Sequence, residues 1–287
     1  MLARALHNQP FLVAEDLSAI GTMSLGVAVP ILAALGVPAA ILPTQVLSTQ
    51  TEGFGTPAKQ YSASWVEETM AHWQREKIQL SGGLIGYVGQ TDLLFQLTHL
   101  VVAQQLHPLI VDPVMGDDGE LYPGLPATYV TLMRKLVSHA DVITPNWTEA
   151  QLLADRPINA HQPKRADIAA VFAALNTLVG DKTKIVITGI PSEREILTAY
   201  QEGRKQHTIA TKLRAGHFYG SGDVFSALLS AALVHDVDLD AAVKLAVKGD
   251  TISLDQTSEA GYQRRFGMQL SLLLAWLAQE VMPQLDP

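Results

Sequence analysis

The feature that most constrains this 287-residue chain is an alternation: short β-branched runs recur between stretches whose apolar residues repeat every three to four positions. FLVAEDL, AAILPT, GLIGYV, PLIVDPV, DVITPN and KIVIT each border such a helical stretch. Parallel strands need long crossover connections, usually helices, so this rhythm predicts an α/β fold with a mostly parallel central sheet flanked by helices. Trp65, Thr69 and Trp73, with Val66 and Met70, share one helical spacing, and Leu93, Leu97, Leu100 and Val101 share another; the aromatics are expected in the core. Beyond Thr188 the pattern changes. EILTAYQ and KQHTIATKL read as an antiparallel hairpin turning across Glu202-Gly203-Arg204, and from Gly222 onward the chain reads as almost wholly helical. No linker, repeat or low-complexity tract divides it, so a single domain over 1–287 is expected, with 48% hydrophobic residues to build its core.

Composition removes several classes of function. The chain has no cysteine, which excludes disulfides, thiolate metal sites and thiol nucleophiles while permitting a reducing compartment. The start, MLARALHNQPFLVAEDLSAIG, lacks the apolar stretch of a signal peptide, so the cytoplasm is expected. The apolar window from Leu25 to Leu42 is interrupted by Pro30, Gly36 and Pro38, which suits a buried helix and strand better than a membrane span. A net charge of −8 with scattered Lys and Arg offers no footprint for a nucleic acid. The nine histidines form no HxxxH or HExxH pair, and no GxxxxGK[ST] loop occurs.

Polar clusters fall where strands should end, and ligands of open α/β sheets bind at that edge. Gly220-Ser221-Gly222-Asp223 runs straight into the apolar helix VFSALLSAAL. Free N–H groups at a helix start hold phosphate, and glycines let it approach closely. The plainer reading, a Ser221 or Asp223 helix cap, explains one polar residue but not the flanking glycines. Asp112 ends the run PLIV, placed to meet magnesium or its waters, while Asp117-Asp118-Gly119 reads as a turn. Asn146 and Glu149 have the spacing of a capping box, and the same carboxylate would also stand near a phosphate-bound cation. Thr188-Gly189 forms a fourth polar strand end after KIVI. Backbone donors, a base and cation-orienting oxygens together are what phosphoryl transfer requires.

In their order and spacing, DPVMGD, TPNxxE and GSGD resemble the pyridoxal kinase branch of the ribokinase-like superfamily. The stretch SLGVAVPILAALGVPAAILPTQVLSTQTEGF and the segment Gly86-Tyr87-Val88-Gly89 look like that family's first helix, second strand, substrate loop and GY segment. HFYGSGD stands where sugar kinases carry DTxGAGD, which favours the vitamin-kinase branch. The resemblance implies a three-layer ribokinase-like fold using ATP and Mg2+. It makes Asp223 the base, Gly220, Ser221 and Gly222 the anion hole, and Asn146 and Glu149 the organisers of magnesium and phosphates. Asp112 would assist through the cation's shell and Thr188 would contact nucleotide phosphate. Ser18, Thr51 and Tyr87 would line the ring pocket for a B6 vitamer. The bland reading of the last two, a loop cap for Thr51 and core packing for Tyr87, stands beside it. ATP and substrate would meet along the strand carboxyl edge, under a flap from Asp117 to Gly124, in a homodimer. Hydroxymethylpyrimidine is the rival substrate, and a non-catalytic binding protein the rival class.

Overall fold

The computed structural model describes residues 9–51, 53–158, 162–203, 205–259 and 263–285. The first eight residues, where a signal peptide would begin, and Arg204 of the expected hairpin turn lie outside them. The described residues fall into two compact units: one holds the chain up to Val88, Leu106–Pro108 and everything from Ala215 on, the other Gly89–Gln105 and Leu109–Arg214.

The first unit opens with β1 (Phe11–Ser18), α1 (Leu25–Ala34), β2 (Ala39–Leu47), β3 (Lys59–Tyr61), α2 (Ala63–Arg75) and β4 (Gly83–Ile85). Its strands lie in the order β4-β1-β2-β3, with β1 parallel to both neighbours and β3 antiparallel to β2. Phe11, Leu12, Val13 and Ala14 are fully buried in succession, as a strand covered on both faces requires. The pairing of β1 with β2 shifts between Glu15 and Leu17, which leaves Asp16 at an irregularity just before the strand's end.

In α2 the expected core is not found. Val66 alone is buried, Trp73 is half-buried, and Trp65 is 47% exposed. Helical spacing gathers residues onto one face but does not supply a cover. This helix follows β3, an exposed edge strand, and Trp65 is only partly covered.

The second unit runs through α3 (Thr91–Gln104), β5 (Leu109–Val111), β6 (Gly116–Asp117), β7 (Glu120–Leu121), α4 (Thr128–Val137), β8 (Val142–Ile143), α5 (Trp147–Leu153), α6 (Arg165–Val179), β9 (Lys184–Pro191), β10 (Glu195–Glu202) and β11 (Lys205–Lys212). Its strand order is β11-β10-β9-β8-β5; β5, β8 and β9 are parallel, and β9, β10 and β11 antiparallel. Leu93, Leu97, Leu100 and Val101 of α3 are buried, as their spacing predicts. Glu202 pairs with Lys205, so the expected hairpin forms. Asp118 and Gly119, both at positive φ, turn the small β6–β7 hairpin. Thr188 does not end its strand: β9 continues to Pro191, bent at Gly189, whose φ is 64°.

The chain then returns to the first unit with α7 (Ser221–Val234), α8 (Leu239–Glu259), a 3-10 turn at Arg264–Phe266 and α9 (Ser271–Trp276), continued by a π-helical turn and a last short helix to Leu285. Helix was expected through FGMQL, but Gly267 (φ 84°) breaks it. An added Cβ there would collide with Thr22 O. Thr22 N donates to Phe266 O at 2.8 Å, and Met268 N to Thr22 O at 3.0 Å, so this extended segment clamps the loop after β1. Among the described residues no helix is long and apolar enough to cross a membrane.

Candidate active site

The sequence candidates gather in two clusters, one in each unit. In the first, Gly220 stands as the N-cap of α7 at φ 93°, and an added Cβ would meet Thr22 O at 3.1 Å and Met23 Cβ at 3.2 Å. Glycine is required here by both backbone and space. No side chain caps α7, so the N–H groups of Gly222 and Asp223 in its first turn have neither an intrahelical nor a side-chain acceptor. Gly222 is exposed. The Ser221 hydroxyl is already engaged, lying 3.0 Å from each carboxylate oxygen of Asp250 on α8, and its N–H donates to Phe218 O at 3.4 Å.

Asp223 occupies the third position of α7, where an acid commonly turns back to cap the helix. Instead its Oδ2 accepts the backbone N–H of Ser24 at 2.6 Å. The group is half-buried; burial raises its pKa, and the Ser24 N–H only partly offsets that. Ser24 itself sits at φ 45°, ψ −124°, a conformation that costs a non-glycine residue about 1–3 kcal/mol. Its hydroxyl donates to Asp16 Oδ1 at 2.7 Å. Asp16 is 5% exposed, and its pKa is pushed up to about 6, first by burial and further by the charge of Asp223, against the Ser24 hydroxyl.

Tyr87, half-buried just past β4, has its phenol pushed up to about 12 by burial and then by the charges of Asp16 and Tyr61. Its carbonyl accepts the Thr44 hydroxyl at 2.8 Å. Ser18 Oγ is buried with no hydrogen-bond partner of ordinary geometry, and its dipole lowers the Asp16 pKa only weakly. Thr51 lies exposed on a loop whose neighbours Gln50 and Gly53 are tied to Arg265, at 3.2 and 3.1 Å. Sequence reasoning missed Asp16 and Ser24. The available signal was a pair of acids, Glu15-Asp16, inside an otherwise apolar strand.

In the second unit, Asn146 caps α5 and the capping box is complete: Asn146 Oδ1 accepts Glu149 N at 2.9 Å, and Glu149 Oε2 accepts Asn146 N at 2.8 Å. Glu149 Oε1 also accepts Met115 N at 3.0 Å, and Asn146 Nδ2 donates to Gly116 O at 2.8 Å. Thr188 pairs with Asn146 across the strands, its N–H bonded to Pro145 O at 2.9 Å. Glu149 is 2% and Asp112 7% exposed. Burial lifts the Glu149 pKa well above the usual range; the charges of Asp112 and Asp117 add to this, against the N–H groups of Asn146 and Met115. A cation would relieve that crowding of acids, and Mg2+ is commonly held by one or two carboxylates plus phosphate oxygens, so these residues fit it. Among the described residues no group of three or more His, Asp or Glu forms a metal cage by itself.

The phosphomethylpyrimidine kinase family model matches residues 30–265. The pyridoxal kinase of Arabidopsis thaliana is 31% identical over 195 residues, covering 62% of this chain and 60% of that protein. The chain thus spans under two thirds of that curated relative. The crystal structure of pyridoxal kinase from Lactobacillus plantarum superposes with a TM-score of 0.89 at 35% identity, covering 94% of this chain and 96% of that one. A candidate phosphomethylpyrimidine kinase from Bacteroides thetaiotaomicron, crystallised with pyridoxal, superposes at 0.86 with 26% identity, over 94% and 96% of the two chains. The α/β fold, with a mostly parallel central sheet flanked by helices, is that of these kinases. The chain belongs to the phosphomethylpyrimidine kinase family, in the pyridoxal kinase branch of the ribokinase-like superfamily.

Proposed function

We propose that this chain is a cytoplasmic ATP-dependent kinase that phosphorylates the hydroxymethyl group of a B6 vitamer (pyridoxal, pyridoxine or pyridoxamine), giving the 5′-phosphate. One observation carries the reading. Asp223 stands in a helix first turn beside uncapped N–H groups, and its carboxylate is held by a distant backbone N–H instead of capping its own helix. A transferring phosphoryl group needs such donors, and an attacking hydroxyl needs such a base. Asp223 takes the hydroxymethyl proton as that oxygen bonds to the γ-phosphorus. The bond from phosphorus to the ADP oxygen breaks, and the open N–H groups of Gly222 and Asp223, presented by the Gly220-Ser221-Gly222 turn, receive the phosphoryl oxygens. The raised pKa of Asp223 brings the base nearer to working pH.

Asn146, Thr188, Asp112 and Glu149 are assigned to the nucleotide and its Mg2+, which would neutralise phosphate charge. Asp112 meets the cation or its waters. Both oxygens of Glu149 already accept N–H groups, so it serves through the water shell. Ser18, Thr51 and Tyr87 are assigned to the ring. The Lactobacillus and Arabidopsis relatives, named pyridoxal kinases, support a B6 substrate, and so does the pyridoxal bound to the Bacteroides protein. Hydroxymethylpyrimidine is the second reading, favoured by the family's description. ADP release with pyridoxal, pyridoxine, pyridoxamine and hydroxymethylpyrimidine tests both. Turnover led by a B6 vitamer supports the proposal, turnover of the pyrimidine alone replaces it with the second reading, and no acceptor-dependent ADP overturns it.

A further inference from the structure

We propose that Ser24 is a positioning residue of the transfer step, aiming the Asp223 carboxylate with its backbone N–H while Asp16 anchors its hydroxyl. This rests on Asp223 being the base. Four observations carry it. Ser24 bridges two carboxylates, at 2.6 Å to Asp223 and 2.7 Å to Asp16, that stand 199 and 8 residues away in sequence. Its backbone, at φ 45° and ψ −124°, is one that glycine adopts freely and serine does not. It precedes α1 as the N-cap, yet its side chain makes no cap hydrogen bond; the hydroxyl that would ordinarily cap the helix is turned to Asp16. Asp16 lies where the β1–β2 register shifts, and such irregularities re-aim side chains beside active sites. A serine kept in a glycine conformation, with its hydroxyl diverted from the helix it caps, serves the carboxylates and not the helix.

The groups facing Asp16 are Asp223 from α7, Tyr87 after β4 and the hydroxyls of Ser18 and Ser24, while Tyr61 of β3 faces Tyr87. The Asp223 charge raises the Asp16 pKa, and the repulsion between two carboxylates is mutual, so the Asp16 charge acts on Asp223 in the same direction. Asp16→Asn therefore moves the acid limb of kcat/KM to lower pH. Ser24→Ala, which removes the donor that stabilises the Asp16 carboxylate, makes Asp16 titrate at higher pH.

The test combines steady-state kinetics against pH, thermal melting and carbon NMR titration of the aspartate carboxyls in Ser24→Gly, Ser24→Ala and Asp16→Asn. Ser24→Gly relieves the backbone strain but removes the hydroxyl that Asp16 accepts, so it is expected to melt near the parent. Its N–H, no longer anchored to Asp16, aims Asp223 less well, and kcat is expected to fall about tenfold to a hundredfold with KM for ATP unchanged. A parental kcat and pH profile in Ser24→Gly would overturn the inference while leaving the proposed function standing. If the parent protein phosphorylates none of the acceptors, the functional reading fails, and the positioning role falls with it. The carboxyl titration then decides the Ser24 bridge alone, and an unmoved Asp16 in Ser24→Ala refutes the bridge as well.

Discussion

Helices α5 and α7 each carry an acid at the same place, the third residue of the first turn, and use it in opposite ways. In α5, Glu149 folds back onto Asn146 N and also accepts Met115 N, so both oxygens are spent on holding backbone. In α7, glycine replaces asparagine at the N-cap, the first-turn amides stay open, and Asp223 reaches instead to Ser24. Both carboxyls have raised pKa values, through burial above all. A shifted pKa alone therefore does not separate a base from a cap. What separates them is whether the lone pairs are already committed to the helix's own end.

That contrast predicts unequal responses to matched substitutions. Asp223→Asn is expected to lower kcat by about a hundredfold to ten-thousandfold with little change in melting temperature, since a base is lost and no cap with it. Near-parental turnover would make α7 equivalent to α5. Gly222→Val, which sets a branched side chain at the open first turn, is expected to slow transfer by about a hundredfold to a thousandfold through the lost approach to the N–H groups. Single-turnover rates on a folded variant check this. Glu149→Gln should act first on stability, by about 1–3 kcal/mol, because its amide nitrogen would face a backbone donor that the carboxylate now satisfies. Urea unfolding measures it, and an unchanged midpoint would remove the cap from the comparison.

A pH-dependent effect comes from Asp16. Its carboxyl binds a proton more tightly in the folded than in the unfolded chain, with its pKa raised from 3.8 to about 6. The stability it contributes is complete below about pH 4 and is lost as pH rises through about 6, by roughly 3 kcal/mol at most. Asp16→Asn should flatten that part of the stability profile in denaturant titrations; a slope that persists would assign it to other acids.

Much of this was legible in the sequence where the signal is local. The β-branched runs mark the parallel strands, the Asn146 and Glu149 spacing marks the capping box, and the glycines around Ser221 mark an uncapped helix start. Two kinds of information were not local. Trp65 and Trp73 share a helical face, but whether that face is covered depends on distant chain. Ser24 gives no sign in sequence of its left-handed backbone or of a hydrogen bond to a residue 199 positions on, so the link from Asp16 to Asp223 appears only in the folded chain.

The central claim, transfer of a phosphoryl group to a hydroxymethyl oxygen, is tested most directly by phosphorus NMR of the protein with pyridoxal, ATP and Mg2+. The account predicts a new phosphomonoester resonance that grows in step with ADP and is absent without pyridoxal. Intact ATP, or ADP accompanied only by inorganic phosphate, would contradict it.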